Sequence, residues 1–188
     1  MSEAISAVPG AAFDGIATVK EAGLVGMITL RGDLGSKKFA SAVKKVTRLT
    51  VPGQREVVRK DERAIAWMSP DELLLVLPYE KAEAEAAALV AALGGEHSLV
   101  QVVSDARAVF DITGAAAPDV LAKLMPVDFS TGAFPENAIR RSRMAQVPAA
   151  VWHEGEGLRV VCFRSVGDYA FGVLSAAAAV GSEVGHLG

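Results

Sequence analysis

The run from Ser98 to Phe129, SLVQVVSDARAVFDITGAAAPDVLAKLMPVDF, constrains the fold of this chain more than any other. It sets strand, tight turn, strand, glycine and short helix in one uninterrupted block. Val100, Val102, Ala108, Phe110 and Ile112 suit buried strand faces. Ser104 and Asp105 can turn the backbone through their own side-chain hydrogen bonds, and Gly114 ends the second strand. Beyond it, Val120, Leu121 and Leu124 form one apolar helix stripe, with Pro118 in a first turn that tolerates a missing N–H. The block is a structural signature and carries no catalytic one.

Upstream, the pattern reads as a strand over Leu24 to Arg31, a helix over Ser36 to Thr47, strands at Ala64 to Met68 and Glu72 to Leu77, and a helix ending at Leu93. The strand at Leu99 to Val103 completes β-α-β-β-α-β, the ferredoxin-like unit. Phe39, Val43 and Val46 form the buried stripe of the first helix, and Ala82, Ala86, Leu89, Val90 and Leu93 that of the second. Glu80, Glu83 and Glu85 favour the positive end of that helix, and Gly94 and Gly95 supply its left-handed stop. Ser69-Pro70-Asp71-Glu72 is a turn between antiparallel strands, because the apolar run to Leu77 is too short for a helix before Pro78. The charged stretch Val51 to Glu62, with Pro52-Gly53, is a surface connection or an irregular edge strand.

Downstream, Asp128 to Asn137 is a loop, followed by strands near Ile139 to Met144, Val147 to Trp152 and Leu158 to Phe163. Ser165 with Asp168 signals the start of a last helix, with Tyr169, Val173, Ala177 and Val180 toward the core. The expected organisation is α+β. Residues 1–20 form an N-terminal tail, with Met1 to Gly15 ordered only by a partner. Residues 21–99 form the ferredoxin-like unit, 100–181 a second α+β unit and 182–188 a C-terminal tail. The two units would share one continuous sheet or a broad contact, so the boundary near Val100 is soft. No repeat is visible in the sequence itself.

Net charge −3 and a pI near 5.7 give no footprint for nucleic acid, whose binding needs clustered cations. Arg140, Arg141 and Arg143 form the dense basic group, and strand alternation puts Arg141 and Arg143 on one face, as on a solvated or partner-facing strand. Cys162 is the sole cysteine, which excludes an intrachain disulfide and fits a reducing cytoplasm. The start MSEAISAVPG lacks a secretory pattern, and no stretch reaches the ~20 apolar residues of a membrane span, so a soluble protein is expected. The 51% hydrophobic content and mean hydropathy of +0.32 point weakly to a subunit interface, with an alanine-rich genome as the alternative.

Five segments together carry a resemblance: AIAWMSPDELLLVLP (Ala64 to Pro78), SDARAVFDITG, LAKLMPVDF, AFPENAIRRSRMAQVPAAVW (Ala133 to Trp152) and FRSVGDYAFGVL (Phe163 to Leu174). In order and spacing the chain resembles the folate-binding fold of the glycine-cleavage T-protein and of enzymes that oxidise dimethylglycine and sarcosine. Within that superfamily it is most similar to the gamma-subunit family of heterotetrameric sarcosine oxidase. The resemblance implies two ferredoxin-like α/β units in a T-protein-like fold. It also implies a noncatalytic chain beside larger alpha, beta and delta subunits, in a complex that uses FAD, FMN, NAD and tetrahydrofolate. That complex oxidises sarcosine to glycine and hydrogen peroxide and passes the methyl carbon to tetrahydrofolate. Rival readings are a stand-alone folate-dependent methyl or aminomethyl transferase, or a transient assembly factor.

The residues themselves offer little reactive chemistry. His97, His153 and His186 lack a second ligand at metal spacing and have no nucleophile paired with them in sequence. No GxGxxG or GxxxxGK[ST] loop is present, and Gly23-Leu24-Val25-Gly26 is too weak a substitute. Arg31-Gly32-Asp33 reads as a strand end in which Gly32 turns the chain and Asp33 caps. Asp128, Glu154 and Glu156 are the loop carboxylates that a pterin edge would need, and each reads as a solvated charge. The Asn-rich catalytic loop and the KGCYxGQE motif of related branches are missing. No catalytic, cofactor-binding or metal residue is therefore assigned. Trp67, Trp152, Arg141 and Arg143 are the interface candidates, the tryptophans as core or interface anchors.

Overall fold

A computed structural model describes residues 3–184. It divides into one unit of residues 25–104 and another of residues 1–24 with 105–188. The first contains β3 (Val25–Arg31), α1 (Lys37–Thr47), β4 (Val57–Lys60), β5 (Arg63–Ser69), β6 (Glu72–Pro78), α2 (Ala82–Leu93) and β7 (Leu99–Val102). Its sheet runs β4-β5-β6-β3-β7, every pair antiparallel. Without β4 this is the ferredoxin-like order, and β4 makes the end of Val51 to Glu62 an edge strand, the second of its two readings.

Alternation sends Ile28, Leu30, Ile65, Leu73, Leu75 and Leu77 to one face, where Phe39, Ala42 and Val43 of α1 and Ala82, Ala86, Leu89 and Leu93 of α2 cover them. Val90, expected in that stripe, is 55% exposed. It follows Leu89 by about 100° of helix rotation, which carries it off the face that touches the sheet. Ser36 caps α1 by accepting from Phe39 N at 3.3 Å. The cap expected of Asp33 is not made; its Oδ1 accepts from Gly35 N at 2.9 Å instead.

The other unit contains β1 (Ala12–Asp14), β2 (Thr18–Glu21), β8 (Arg107–Thr113), α3 (Ala117–Ala122), β9 (Ile139–Met144), β10 (Val147–Glu154), β11 (Gly157–Phe163) and α4 (Gly167–Ala177). Its sheet runs β1-β2-β8-β11-β10-β9. Strands β2-β8-β11-β10 repeat the order β7-β3-β6-β5, and β9 takes the outer place that β4 takes in the first unit. A structural repeat that the sequence hides thus relates the two units.

Several boundaries need correcting. Residues 1–20 are not a tail: Thr18 to Glu21 pair with Thr113 to Phe110 and supply the sheet position that β7 fills in the first unit. No strand follows α4 among the described residues, so the N-terminus completes the sheet. Among the described residues the strands form two separate sheets, one in each unit, and the boundary falls at Ser104/Asp105. Ser104 does not turn the chain through its own side chain either; its Oγ accepts from Met27 N at 2.9 Å, securing the start of β3. The α4 stripe is Gly167, Ala170, Leu174 and Ala177, whereas Tyr169 and Val180 are exposed. A short 3-10 turn over Arg164–Val166 delays the helix, so Val166 takes the cap position without a side-chain bond and the cap expected at Ser165 is not made. Of the expected C-terminal tail, residues 185–188 lie outside the described residues.

Candidate functional site

Strand β11 places Cys162 in the core, where burial pushes its thiol up to about 11 against a smaller opposing pull from Arg107. The reactive species is the thiolate, so this sulfur is inert near neutrality. His153 on β10 holds its Nε2 3.1 Å from the Phe134 carbonyl and its ring 5.0 Å from that of Phe134. Arg140 lies over the other part of the cluster, 5.6 Å from the Phe134 centroid, and donates to Ala133 O. These contacts fasten the loop before β9 to the sheet. His97 is exposed, and His186 is outside the described residues. Among the described residues, no group of three or more His, Cys, Asp or Glu side chains is placed to hold a metal ion.

Two of the three carboxylates are used locally. Asp128 Oδ1 accepts from Ser130 N at 2.9 Å, and Glu154 Oε2 accepts from Trp152 Nε1 at 3.1 Å. Glu156 sits exposed in the β10–β11 turn. None of them lines the clefts formed around Arg31 and Asp71 or around Arg48 and Lys60.

A polar row not anticipated from sequence, with its arginine and aspartate partly buried, crosses the sheet that contains β8 and β11. Arg159 on β11 donates from Nε and Nη2 to both oxygens of Asp111 on β8, at 2.7 and 2.8 Å, and lies 3.5 Å from Glu154. The strand register aligns Trp152, Arg159, Asp111 and Lys20 side by side. Burial works to lower the Arg159 pKa, but its bonds and charge attraction to Asp111 prevail and the net shift is upward. The available signal was a lone arginine inside the apolar run LRVVCF.

The interface candidates separate by exposure. Trp152 has no accessible surface, so it is a core anchor and cannot meet a partner. Trp67, where β5 departs from regular register, remains half-buried. Arg141 and Arg143 are exposed on β9, and their register partners Ala150 and Pro148 put them on one face as expected. Strand β9 is the outer strand of its sheet, and its far edge has no strand neighbour among the described residues.

Clefts open on the unit of residues 25–104. One, of about 580 Å³, is lined by Arg31, Asp33, Asp71, Glu96 and His97 among others, with Arg31 Nη2 2.6 Å from Asp71. The hydrogen bond from Ser69, followed by that from Arg31, holds the Asp71 carboxyl below the usual aspartate value. The second, of about 350 Å³, lies between the end of α1 and the β4–β5 turn, lined by Val46, Thr47, Arg48, Lys60, Asp61 and Arg63. No helix among the described residues is long and apolar enough to cross a membrane.

Against known proteins, the model of the sarcosine oxidase, gamma subunit family matches residues 31–180. Sarcosine oxidase subunit gamma of Corynebacterium sp. (strain P-1) is 36% identical over 144 residues, covering 76% of this chain and 70% of that protein. The Arthrobacter sp. subunit gamma is 40% identical over 93 residues, 50% of this chain and 45% of that one. Among solved structures, a chain of heterotetrameric sarcosine oxidase from Corynebacterium sp. U-96, in complex with pyrrole 2-carboxylate, gives a TM-score of 0.81 at 27% identity. That match covers 89% of this chain and 87% of that chain. The glycine cleavage system aminomethyltransferase T from Bartonella henselae gives a TM-score of 0.62 at 16% identity, over 89% of this chain and 47% of that one. The likeness to this T protein shows a shared fold, the folate-binding architecture expected from the sequence.

Proposed function

This chain belongs to the sarcosine oxidase gamma subunit family, and on that premise we propose that it is the noncatalytic gamma chain of a heterotetrameric sarcosine oxidase. One observation carries the reading: the TM-score of 0.81 to a chain of a heterotetrameric oxidase, over nearly all of both chains. The assembly converts sarcosine, dioxygen and tetrahydrofolate to glycine, hydrogen peroxide and methylenetetrahydrofolate. The alpha, beta and delta chains hold FAD, FMN, NAD and the folate and carry the reacting groups. This chain contributes a noncatalytic subunit in the cytoplasm.

Arg141 and Arg143 on the β9 edge and half-buried Trp67 are the proposed contact residues. An open strand edge offers main-chain donors and acceptors, and paired arginines confer specificity on whatever lies beside it. Trp152 is withdrawn from that set by its burial. Co-expression with the other three chains and size-exclusion chromatography test the proposal. All four chains should elute together, and elution of this chain as a separate monomer at every salt concentration contradicts it. Calorimetry of the isolated chain with tetrahydrofolate should show no heat of binding; tight binding would favour a stand-alone folate-dependent transferase.

A further inference from the structure

The chain is acidic overall, yet its charge is unevenly distributed. Residues 37–63 hold nine lysines and arginines against three acids, a net of +6 in a chain whose total is −3. In sequence these cations are spread over a helix, a connection and a hairpin. Folding brings the end of α1 against the β4–β5 turn, so that Arg48, Lys60 and Arg63 line one concave site of about 350 Å³. Asp61 is the acidic residue in its wall.

Local structure offsets part of this charge, with Lys38 lying 3.2 Å from Glu96. Arg63 spends one guanidinium nitrogen on Glu85, at 3.2 Å. Among the described residues, neither the Arg48 nor the Lys60 side chain has a hydrogen-bond or ion-pair partner, and both are exposed. Lys44 and Lys45 occupy the last turn of α1, where they offset the negative end of the helix, and they extend the positive field beyond the cleft. Arg48 also holds a left-handed backbone, φ 63, at the helix end, a conformation that glycine adopts with less strain. The position therefore keeps a cation at a conformational cost.

We infer that the cleft formed by Arg48, Lys60 and Arg63 receives an acidic segment of a partner subunit, whose carboxylate enters the cavity while the surrounding lysines steer its approach. Charge complementarity argues for this occupant. A concave polar site fits a carboxylate end, and the excess of basic charge outside it suits a run of acids better than one small ion. The inference rests on the proposed membership of an oxidase assembly and concerns a surface distinct from the β9 edge.

The test is the association rate of the full chain with the other oxidase subunits, measured at low and at physiological ionic strength for wild type and for the double variant Arg48→Glu, Lys60→Glu. Both side chains are exposed, and an unchanged circular dichroism melt will show that the variant folds. The wild-type rate should fall with salt, and the variant should associate about tenfold more slowly at low salt with a flatter salt dependence. Identical rates and salt dependence for the two proteins overturn this inference while leaving the assembly intact. Inorganic phosphate saturating the cleft without slowing association would also overturn it, in favour of a small-anion site. Failure of wild type to associate at all overturns both this inference and the assembly reading.

Discussion

Cys162 and the two tryptophans show how a single side chain's surroundings set its behaviour. The Cys162 thiol, raised to about 11 by burial, stays protonated in the folded chain while the unfolded thiol ionises near 9. A raised folded value contributes stability that is complete below the unfolded pKa and lost as pH rises to the folded one. The melting temperature should therefore fall more steeply between about pH 9 and 11 in wild type than in Cys162→Ala, and parallel slopes would contradict this origin. Below pH 8 the folded chain should resist alkylation at this sulfur until denaturant is added. Trp152, buried and bonded to Glu154, should cost about 3–5 kcal/mol when changed to alanine, and half-buried Trp67 about 1 kcal/mol, in urea unfolding. At this scale the sequence left the roles of the two tryptophans unresolved, because identical residues in strand patterns do not reveal which strand is covered on both faces.

Among the elements, the central strands were legible and the N-terminal hairpin was not. The unbroken run Leu73 to Leu77 announces a strand buried on both faces, and all five residues are buried. Phe13 and Val19 stand in short stretches with no such run, so β2 emerges only from pairing with β8 and β1 only from pairing with β2. Helix rotation was the other source of error. Val90 and Tyr169 are exposed because side-chain identity does not fix azimuth in helices as alanine-rich as α2 and α4, and Val180 lies beyond the end of α4 at Ala177. The hairpin is anchored where Gly15 approaches the end of α4, and Ile16 N donates to Ala178 O at 2.8 Å. A Cβ at residue 15 would collide with that same carbonyl oxygen. Gly15→Ala should therefore destabilise the chain by about 1–3 kcal/mol and speed amide exchange in β2, measured by hydrogen–deuterium exchange. Unaltered protection of Thr18 to Glu21 would show that the hairpin is not held there. Lys123 offers a second test of the same region, since its ammonium donates to Ala177 O and to both oxygens of Ser182. Lys123→Met should loosen the end of α4, observed as faster exchange of Ala177 and Ala178 amides.

For the whole molecule, the ferredoxin-like arrangement of residues 25–104 was readable because helices and strands alternate there in chain order. The second unit was only partly readable, since the strand completing its sheet comes from the opposite end of the chain. The candidate interface was half legible: the spacing of Arg141 and Arg143 gives their shared face, whereas the Arg48–Lys60–Arg63 cleft exists only once a helix end and a hairpin turn meet. What unites these features is that side chains such as Arg159, Lys123 and Arg140 hold the chain's own structure while Arg48, Lys60, Arg141 and Arg143 are exposed. Charge reversal at Arg141 and Arg143 should accordingly weaken recovery of this chain with the other subunits while leaving its own melting temperature within about 1 °C, as for surface changes remote from the core. The central claim, that this chain is a stoichiometric noncatalytic subunit, is tested most directly by native mass spectrometry of the purified oxidase together with sarcosine turnover by each separated component. The account predicts one copy of this chain in every active complex and no turnover by the chain alone; a fully active three-chain complex, or turnover by the isolated chain, would contradict it.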